Sequence, residues 1–329
     1  MTSDLRTDDF NYELPEELIA SRPMPDRAAS RMLVVDRAKG TIEHRMFADF
    51  SSYVGGDDLC VFNDTRVVPA RFFSNDGKIE VVWLEDVGTN MWRCMVRPGK
   101  KMKVGREVQI GEAKGTVVEV RENGDRIVKF DRDVDLDLGQ LALPHYMGRE
   151  SEESDFERYQ TVFAKERGAI AAPTAGLHFT PELVESVPHT FVTLHVGIGT
   201  FRPVKAERVS DHEMHAERYL MSGESASKIV AANRVVAIGT TVVRTLESVA
   251  RNTPREQFAE CSGDTEIFIY PPYQFGAVDA LLTNFHLPKS TLLMLVSAFS
   301  GKALIMDAYR QAVEERYRFF SYGDCMLIL

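Results

Sequence analysis

Two loops in the second half of the chain combine histidine with small polar residues. The first loop, AAPTAGLHFT (residues 171–180), carries Thr174, Gly176, His178 and Thr180. The second loop, TNFHLPKST (residues 283–291), carries Asn284 and His286 directly before an apolar run. Histidine titrates near neutral pH and can act as a general acid or base, although a histidine in a core is commonly a structural residue.

A third histidine strengthens the case for a shared site. His195 lies in the apolar run VTLHV (residues 192–196) and precedes the glycine-containing turn HVGIGTF (195–201). We therefore expect His178, His195 and His286 to surround one pocket. The turn itself is not a dinucleotide-binding motif, because Arg202 stands where the third glycine is needed. Composition favours a tight turn here, and we retain Gly197 and Arg202 as candidate substrate contacts.

Two further segments offer polar groups for a substrate. Gly239-Thr240-Thr241 stands at a predicted helix start, where exposed amides suit an anion or a ribose hydroxyl. A plain helix cap is the equal alternative for Thr240. In HEMH (residues 212–215) the histidines are three apart, whereas the zinc-protease helix motif requires four. We therefore predict no metal site, and we keep His215 and Glu217 as polar candidates for substrate contact.

The elements that must position these residues change character along the chain. Apolar runs at 32–36, 59–62, 192–196 and 235–238 predict buried strands, and helices are predicted after residue 239, at 288–301 and at 303–318. Between 71 and 145, five or six short β-rich runs are separated by glycines, and Asn123-Gly124 indicates a hairpin. The prediction is a large α/β domain (1–70 and 146–329) with an inserted small all-β, barrel-like domain (71–145) standing beside the histidine loops.

Composition and charge restrict the class of protein. The chain has 329 residues, 44% of them hydrophobic, and a net charge of −10, which argues against nonspecific nucleic-acid coating. The cysteines at 60, 94, 261 and 325 form no CxxC pair, and no segment of this sequence resembles a signal peptide or a membrane span. We expect a cytoplasmic protein without a membrane partner. Positive charge is nevertheless concentrated at 93–106, which holds six lysines or arginines and no acid.

Taken together, these segments resemble one family along essentially the whole chain. The resemblance runs in order through FNDTRVVPAR, YQTVFA, GAIAAPTAGLHFT, TLHVGIGTFRPV, MHAERY, GTTVVRTLES, FIYPP and LLTNFHLPKSTLLMLVSAF. The sequence is similar to the S-adenosylmethionine:tRNA ribosyltransferase-isomerases of the queuosine pathway. Each segment alone is a weak signal, whereas the ordered combination is specific.

The resemblance implies a reaction and its substrates. S-adenosylmethionine is the ribosyl donor, a co-substrate rather than a cofactor, and no other cofactor is implied. The acceptor is 7-aminomethyl-7-deazaguanine at the wobble position of a tRNA with a GUN anticodon, and the enzyme is expected to be a monomer. With tRNA as substrate, the exposed cations predicted to contact phosphates are Arg97, Lys100, Lys101 and Lys103. The alternatives are an S-adenosylmethionine-dependent tRNA methyltransferase and a non-catalytic RNA-binding module.

Overall fold

The protein is seen in a computed structural model that describes residues 5–197, 204 and 206–329. Among these residues, one large mixed sheet is formed by β1 (Arg31–Asp36), β2 (Thr41–Met46), β3 (Asp58–Asn63), β12 (His189–Leu194), β13 (Glu217–Met221), β14 (Arg234–Ile238), β15 (Cys261–Thr265), β16 (Ala280–Asn284) and β17 (Cys325–Ile328). Their spatial order is β15-β13-β12-β3-β14-β16-β17-β1-β2. The adjacent central strands β12, β3, β14 and β16 run parallel.

The apolar strands bury side chains on both faces of this sheet. Successive residues of a strand point to opposite faces. In β3, Val61 packs into one core while Phe62 packs into the other. In β14, Val235 and Val236 divide in the same way. Strands buried on both sides therefore need continuous apolar sequence, which is the pattern that predicted them.

Helices pack against the sheet, and α4 begins directly after the carboxyl end of β14. They are α1 (Asp155–Arg158), α2 (Pro181–Glu185), α3 (Gly223–Ala231), α4 (Thr240–Ala250), α5 (Thr291–Ser300) and α6 (Lys302–Glu314). Val242 and Leu246 of α4 are fully buried against the sheet. Within the described residues no single helix is long and apolar enough to cross a membrane, and the consecutive helices α5 and α6 are bent by 118° to one another.

A second, antiparallel sheet lies in the middle of the described chain. Its strands are β5 (Arg71–Phe73), β6 (Glu80–Gly88), β7 (Met91–Arg97), β8 (Glu107–Ile110), β9 (Ala113–Val120) and β10 (Arg126–Phe130), in the spatial order β5-β6-β7-β10-β9-β8. The edge strands approach each other through Asn75, whose backbone N–H donates to the Gln109 carbonyl at 2.8 Å. The sheet is thus nearly closed and barrel-like, and its interior holds Phe72, Trp92 and Phe130.

The chain enters and leaves this barrel-like unit at one point. Arg71 and Gln140 form an antiparallel bridge, with the Arg71 amide donating to the Gln140 carbonyl at 3.0 Å and the Gln140 amide donating back at 2.8 Å. Just before the entry, β4 (Thr65–Val67) pairs in parallel with β11 (Glu166–Ala169). The unit is therefore an insertion whose two ends lie side by side.

Most predicted elements are confirmed, with shifted ends. The strands predicted at 32–36, 59–62 and 235–238 are β1, β3 and β14, and the predicted hairpin joins β9 to β10 with Gly124 at φ +90°. The strand predicted at 192–196 ends at Leu194, so His195 lies beyond the strand end. The predicted helices at 288–301 and 303–318 are shorter, because Ser290 caps α5 and α6 ends at Glu314.

Candidate active site

The candidate residues gather at the carboxyl edge of the central parallel strands. His195 follows β12, Thr65 follows β3, Gly239 follows β14, and Asn284 ends β16. Because parallel strands end at the same edge, four segments distant in sequence come together there. This is the usual position for a ligand site in an open sheet of parallel strands.

One cavity lies above β14 and β16, and we call it the inner cavity. It is lined by the segments 171–175, 239–241 and 283–287, together with Tyr146, Tyr159, Val196, Ser290, Leu292, Phe320 and Ser321. Its volume is about 100 Å³. Four predicted site residues line it: Thr174, Thr240, Asn284 and His286. The inner cavity is built entirely from residues outside the barrel-like unit.

A second, larger cavity lies beside it, and we call it the outer cleft. Its volume is about 430 Å³. One wall comes from the barrel-like unit (residues 83–86, 93, 123 and 125), and the other from residues 167–168, 170, 195–197 and 215–218. Val196 lines both cavities, so they adjoin. Residues of β6 and β7 therefore form part of the wall of this cleft, whereas the barrel-like unit contributes nothing to the inner cavity.

His195 is the histidine of the outer cleft. Its Nδ1 lies 2.8 Å from the Thr65 hydroxyl, and Nε2 makes no hydrogen bond to any described residue. The ring packs so closely on Gly168 that a Cβ there would lie 2.9 Å from it. Partial burial, with a smaller contribution from Arg218, lowers the pKa of His195 below its usual 6.5. The side chain is therefore neutral at physiological pH and held in one orientation.

His178 is buried and fully hydrogen-bonded. It is 3% exposed, with Nδ1 at 2.9 Å from the Ser30 hydroxyl and Nε2 at 3.2 Å from Asn284 Nδ2. An amide nitrogen only donates, so Nε2 accepts and Nδ1 carries the proton toward Ser30. Burial, with smaller contributions from Arg27 and Arg318, lowers the pKa of His178 to about 4. His178 lines neither cavity. It is connected to the inner cavity only through the side chain of Asn284, which it helps to orient.

His286 reaches the inner cavity but is also nearly buried. It is 8% exposed, and its Nε2 lies 3.0 Å from the Thr283 hydroxyl. Its backbone N–H donates to the Tyr309 hydroxyl at 2.9 Å, which fixes the loop. Burial lowers the pKa of His286 to about 3. The residue therefore presents a neutral ring to the cavity.

The structure does not bring the three histidines around one cavity, contrary to the expectation. His286 lines the inner cavity, His195 lines the outer cleft, and His178 lies behind Asn284. The reason is that each follows or precedes a different strand, so that they spread along the sheet edge instead of converging.

The remaining predicted substrate contacts divide between the outer cleft and positions that line neither cavity. Gly197, His215 and Glu217 line the outer cleft. Gly176 packs where a Cβ would meet Phe163 and Thr161 at 2.8 Å. Thr180 is the cap of α2, accepting from the Leu183 amide at 3.3 Å. Arg202 lies outside the described residues.

Glu217 connects the outer cleft to α4. Its carboxylate accepts from the Gly197 amide at 2.8 Å and forms a buried ion pair with Arg244 of α4. The side chains of Glu217 and Arg244 are 5% and 7% exposed. A buried pair of this kind is costly to break, so it holds the end of the segment 195–197 in place.

Two residues that contact the predicted ones were not singled out from sequence. Thr65 lies within hydrogen-bond distance of His195, and Ser30 within hydrogen-bond distance of His178. The sequence does contain a feature that could have indicated Thr65, since this residue stands in the turn-like FNDTR segment after a predicted strand. Ser30 had none, because nothing local distinguishes it from another surface serine.

The predicted tRNA contacts form an exposed group on the barrel-like unit. Arg97 ends β7, and Lys100, Lys101 and Lys103 follow in or beside a single 3-10 turn, Gly99–Lys101. All four are exposed, and none forms an ion pair with a described residue. We call these four residues the basic surface.

Comparison with known proteins places the chain in a family. A model of the family described as queuosine biosynthesis protein matches residues 7–328. The chain belongs to this queuosine biosynthesis family. Relatives named S-adenosylmethionine:tRNA ribosyltransferase-isomerase include those of Thermotoga petrophila (49% identity, 99% of this chain and 100% of the relative) and Natranaerobius thermophilus (50%, 98% and 99%). The resemblance noted in the sequence is thereby confirmed.

A solved structure of the queuosine biosynthesis family gives the same assignment. The crystal structure of S-adenosylmethionine tRNA ribosyltransferase from Thermotoga maritima is 41% identical and covers 98% of this chain and 100% of its own. The TM-score is 0.57. The large mixed sheet and the barrel-like sheet therefore belong to a fold already seen in this family.

Proposed function

We propose that the protein transfers and isomerises the ribosyl moiety of S-adenosylmethionine onto 7-aminomethyl-7-deazaguanine at the wobble position of tRNA. The products are epoxyqueuosine in tRNA, adenine and methionine. The observation that carries this proposal is the name shared by relatives that are 46–50% identical over nearly the whole chain. That name describes ribosyl transfer, which supports this reaction over the methyltransferase alternative. The acceptor would be a tRNA with a GUN anticodon.

His195 is the residue we propose as general base. The sulfonium of S-adenosylmethionine acidifies the neighbouring C5′ hydrogens, so a neutral imidazole is a sufficient base. Thr65 fixes the imidazole ring of His195 through Nδ1. The other ring nitrogen, Nε2, makes no hydrogen bond to a described residue, and His195 lines the outer cleft. His178 instead acts as a positioning residue for Asn284. His286 and Thr174 contribute to the wall of the inner cavity.

The basic surface and the outer cleft together suit a nucleic acid. Arg97 ends β7, and β7 also contributes Arg93 to the wall of the cleft. A tRNA held by its phosphates on this unit could direct an extruded base into the cleft, as enzymes that modify bases do. The simpler alternative, a solvated barrel hairpin, would leave these cations without a role in binding.

The proposed division into two domains follows from the insertion of the barrel-like unit into the rest of the chain. Residues 1–70 and 146–329 would form an α/β domain, and residues 71–145 a small barrel-like domain. The separate core around Trp92 and the paired ends Arg71 and Gln140 support this division. We also propose that the protein acts as a monomer, and that it acts in the cytoplasm because its substrate is tRNA.

The reaction is tested by its products. The protein should be incubated with S-adenosylmethionine and tRNA carrying the aminomethyl-deazaguanine, followed by analysis of small molecules and tRNA nucleosides. Release of adenine and methionine with formation of epoxyqueuosine is the expected result. S-adenosylhomocysteine would indicate methyl transfer, and tRNA binding without turnover would indicate a binding module.

A further inference from the structure

Asn284, which lines the inner cavity, carries a buried acceptor without a partner among the described residues. Asn284 is 2% exposed, and its amide nitrogen donates to the Phe320 carbonyl at 3.0 Å and lies 3.2 Å from His178 Nε2. The Phe320 carbonyl can only accept, so the orientation of the amide is fixed. Asn284 Oδ1 has no hydrogen-bond partner among the described residues. Because an unsatisfied buried acceptor is costly, the cavity is suited to a ligand that donates a hydrogen bond here.

The segment that follows β14 also lines the inner cavity and offers donors. Helix α4 begins there at Thr240, and its cap position is Gly239, which has no side chain to accept from the first amides. Helices α2, α3 and α5 are each capped by a serine or threonine. Within the described residues, the amides of Thr240 and Thr241 have no acceptor, and the buried Thr241 hydroxyl has no partner. An uncapped helix start of this kind binds a carboxylate or another anion.

The space between these two sets of groups is small and mainly apolar. Ala172, Ala175 and Leu287 contribute to its lining, and its volume is about 100 Å³. A cavity of about 150 Å³ is enough for benzene, so this one admits a short unbranched chain but not a nucleoside. A ligand whose compact end carries both an anion and a strong donor, with an apolar chain leading away from it, is an α-amino acid.

We propose that the inner cavity holds the amino-acid end of S-adenosylmethionine. The carboxylate accepts from the amides of Thr240 and Thr241, and the ammonium group donates to Asn284 Oδ1. This proposal rests on the proposed function, which makes S-adenosylmethionine the substrate. Because Val196 lines both cavities, a substrate anchored in this way directs its sulfonium and ribose into the outer cleft, where His195 lies.

The proposal predicts which fragments of the substrate compete for binding in the wild-type protein. L-Methionine should displace S-adenosylmethionine in a calorimetric competition. L-Methioninamide, which lacks the carboxylate, should compete about tenfold or more weakly, as expected when a charge-assisted hydrogen bond is removed. Equal competition by the two fragments, or displacement by 5′-methylthioadenosine alone, would overturn the proposal.

A proline at the first helical position removes one amide without removing the helix. Proline is well tolerated at this position, and Thr240→Pro therefore deletes the N–H that we assign to the carboxylate. Thr240→Val keeps the N–H and serves as the matched control for loss of the side chain. Binding of S-adenosylmethionine should be compared with binding of its decarboxylated analogue in each protein.

The wild-type protein and the valine variant should prefer the carboxylated ligand by tenfold or more, and the proline variant should lose most of that preference. An unchanged preference in the proline variant would overturn the assignment of the carboxylate. If the proline variant does not fold, the competition between L-methionine and L-methioninamide still tests the assignment of the carboxylate. Failure of the proposed function is separately visible, because the wild-type protein would then release no adenine from S-adenosylmethionine and tRNA.

Discussion

Burial separates the three histidines into different chemical roles. The pKa values of His178 and His286 are lowered to about 4 and about 3, so neither ring gains a proton in the physiological range. His195 is only partly buried and keeps a ring nitrogen toward the outer cleft. The least buried of the three histidines, His195, is therefore the one that we propose as general base.

His195→Gln should lower kcat by about 10² or more, as expected when a general base is removed. In the wild-type enzyme, kcat/KM for S-adenosylmethionine should be constant above pH 6.5. It should fall at lower pH, because the lowered pKa of His195 places its protonation below that value. The measurement is a pH profile of adenine release. A rate unaffected by the substitution would show that the base lies elsewhere.

His178 should act through Asn284 and not by proton transfer. His178→Gln retains an acceptor for the Asn284 amide, whereas His178→Leu removes it. We expect the leucine variant to raise KM for S-adenosylmethionine by tenfold or more, with a smaller effect for glutamine. Similar losses in both variants would indicate a direct role for the imidazole.

The same histidine should make stability depend on pH. Its pKa is about 4 in the folded protein and about 6.5 when unfolded, so the unfolded chain binds more protons between these values. The free energy of unfolding should therefore fall as the pH drops below 6.5, and by about 2 kcal/mol between pH 8 and pH 5 from this residue. Urea unfolding should show that the free energy of unfolding of the His178→Gln variant falls about 2 kcal/mol less than that of the wild-type protein between pH 8 and pH 5. An equal fall in both proteins would contradict a lowered pKa for His178 in the folded state.

At the scale of elements, we propose that the sheet edge and the basic surface supply different parts of the site. Strands β12, β3, β14 and β16 end together, and His195, Thr65, Thr240 and Asn284 lie at or just after their ends. The basic surface lies instead at the end of β7 and in the short turn that follows it. In this proposal the sheet edge binds the small substrate while the basic surface binds phosphates.

Replacing Arg97, Lys100, Lys101 and Lys103 together by glutamine should raise KM for tRNA and leave S-adenosylmethionine binding unchanged. The salt dependence of tRNA binding should also flatten by about 0.7–0.9 for each phosphate that no longer meets a cation. The control is the pair Lys114→Gln and Arg132→Gln on the same barrel-like unit, because both cations already face acids. An unchanged KM and salt slope in the quadruple variant would place the tRNA elsewhere.

At the scale of the molecule, the two cavities are formed by different parts of the chain. The inner cavity uses only residues outside the barrel-like unit, whereas the outer cleft needs both parts. The substrate site for S-adenosylmethionine would then be preformed in the large unit. The barrel-like unit would complete the cleft in which the nucleobase reacts.

Removing residues 72–139 and joining Arg71 to Gln140 through Asn-Gly tests this division. The two ends are already hydrogen-bonded, so a tight turn can connect them without moving the large sheet. The shortened protein should remain folded by circular dichroism and bind L-methionine, yet show no turnover with tRNA. A folded protein that no longer binds L-methionine would contradict the preformed inner cavity.

The sequence by itself determined the elements and the family. Continuous apolar runs specify strands buried on both faces, glycine-spaced β-rich runs specify the barrel-like unit, and the ordered motifs specify the reaction. The position of His195 was also visible, since it lies at the end of such a run. These features depend on neighbours within a few residues along the chain.

Only the tertiary structure decided where each histidine lies and which partner holds it. His195 is held by Thr65, which is 130 residues away, and His178 by Ser30, which is 148 residues away. Burial and hydrogen bonding set a pKa, and both come from partners that local sequence does not reveal. The separation of the inner cavity from the outer cleft has the same origin, because it depends on which strand ends are neighbours in the sheet.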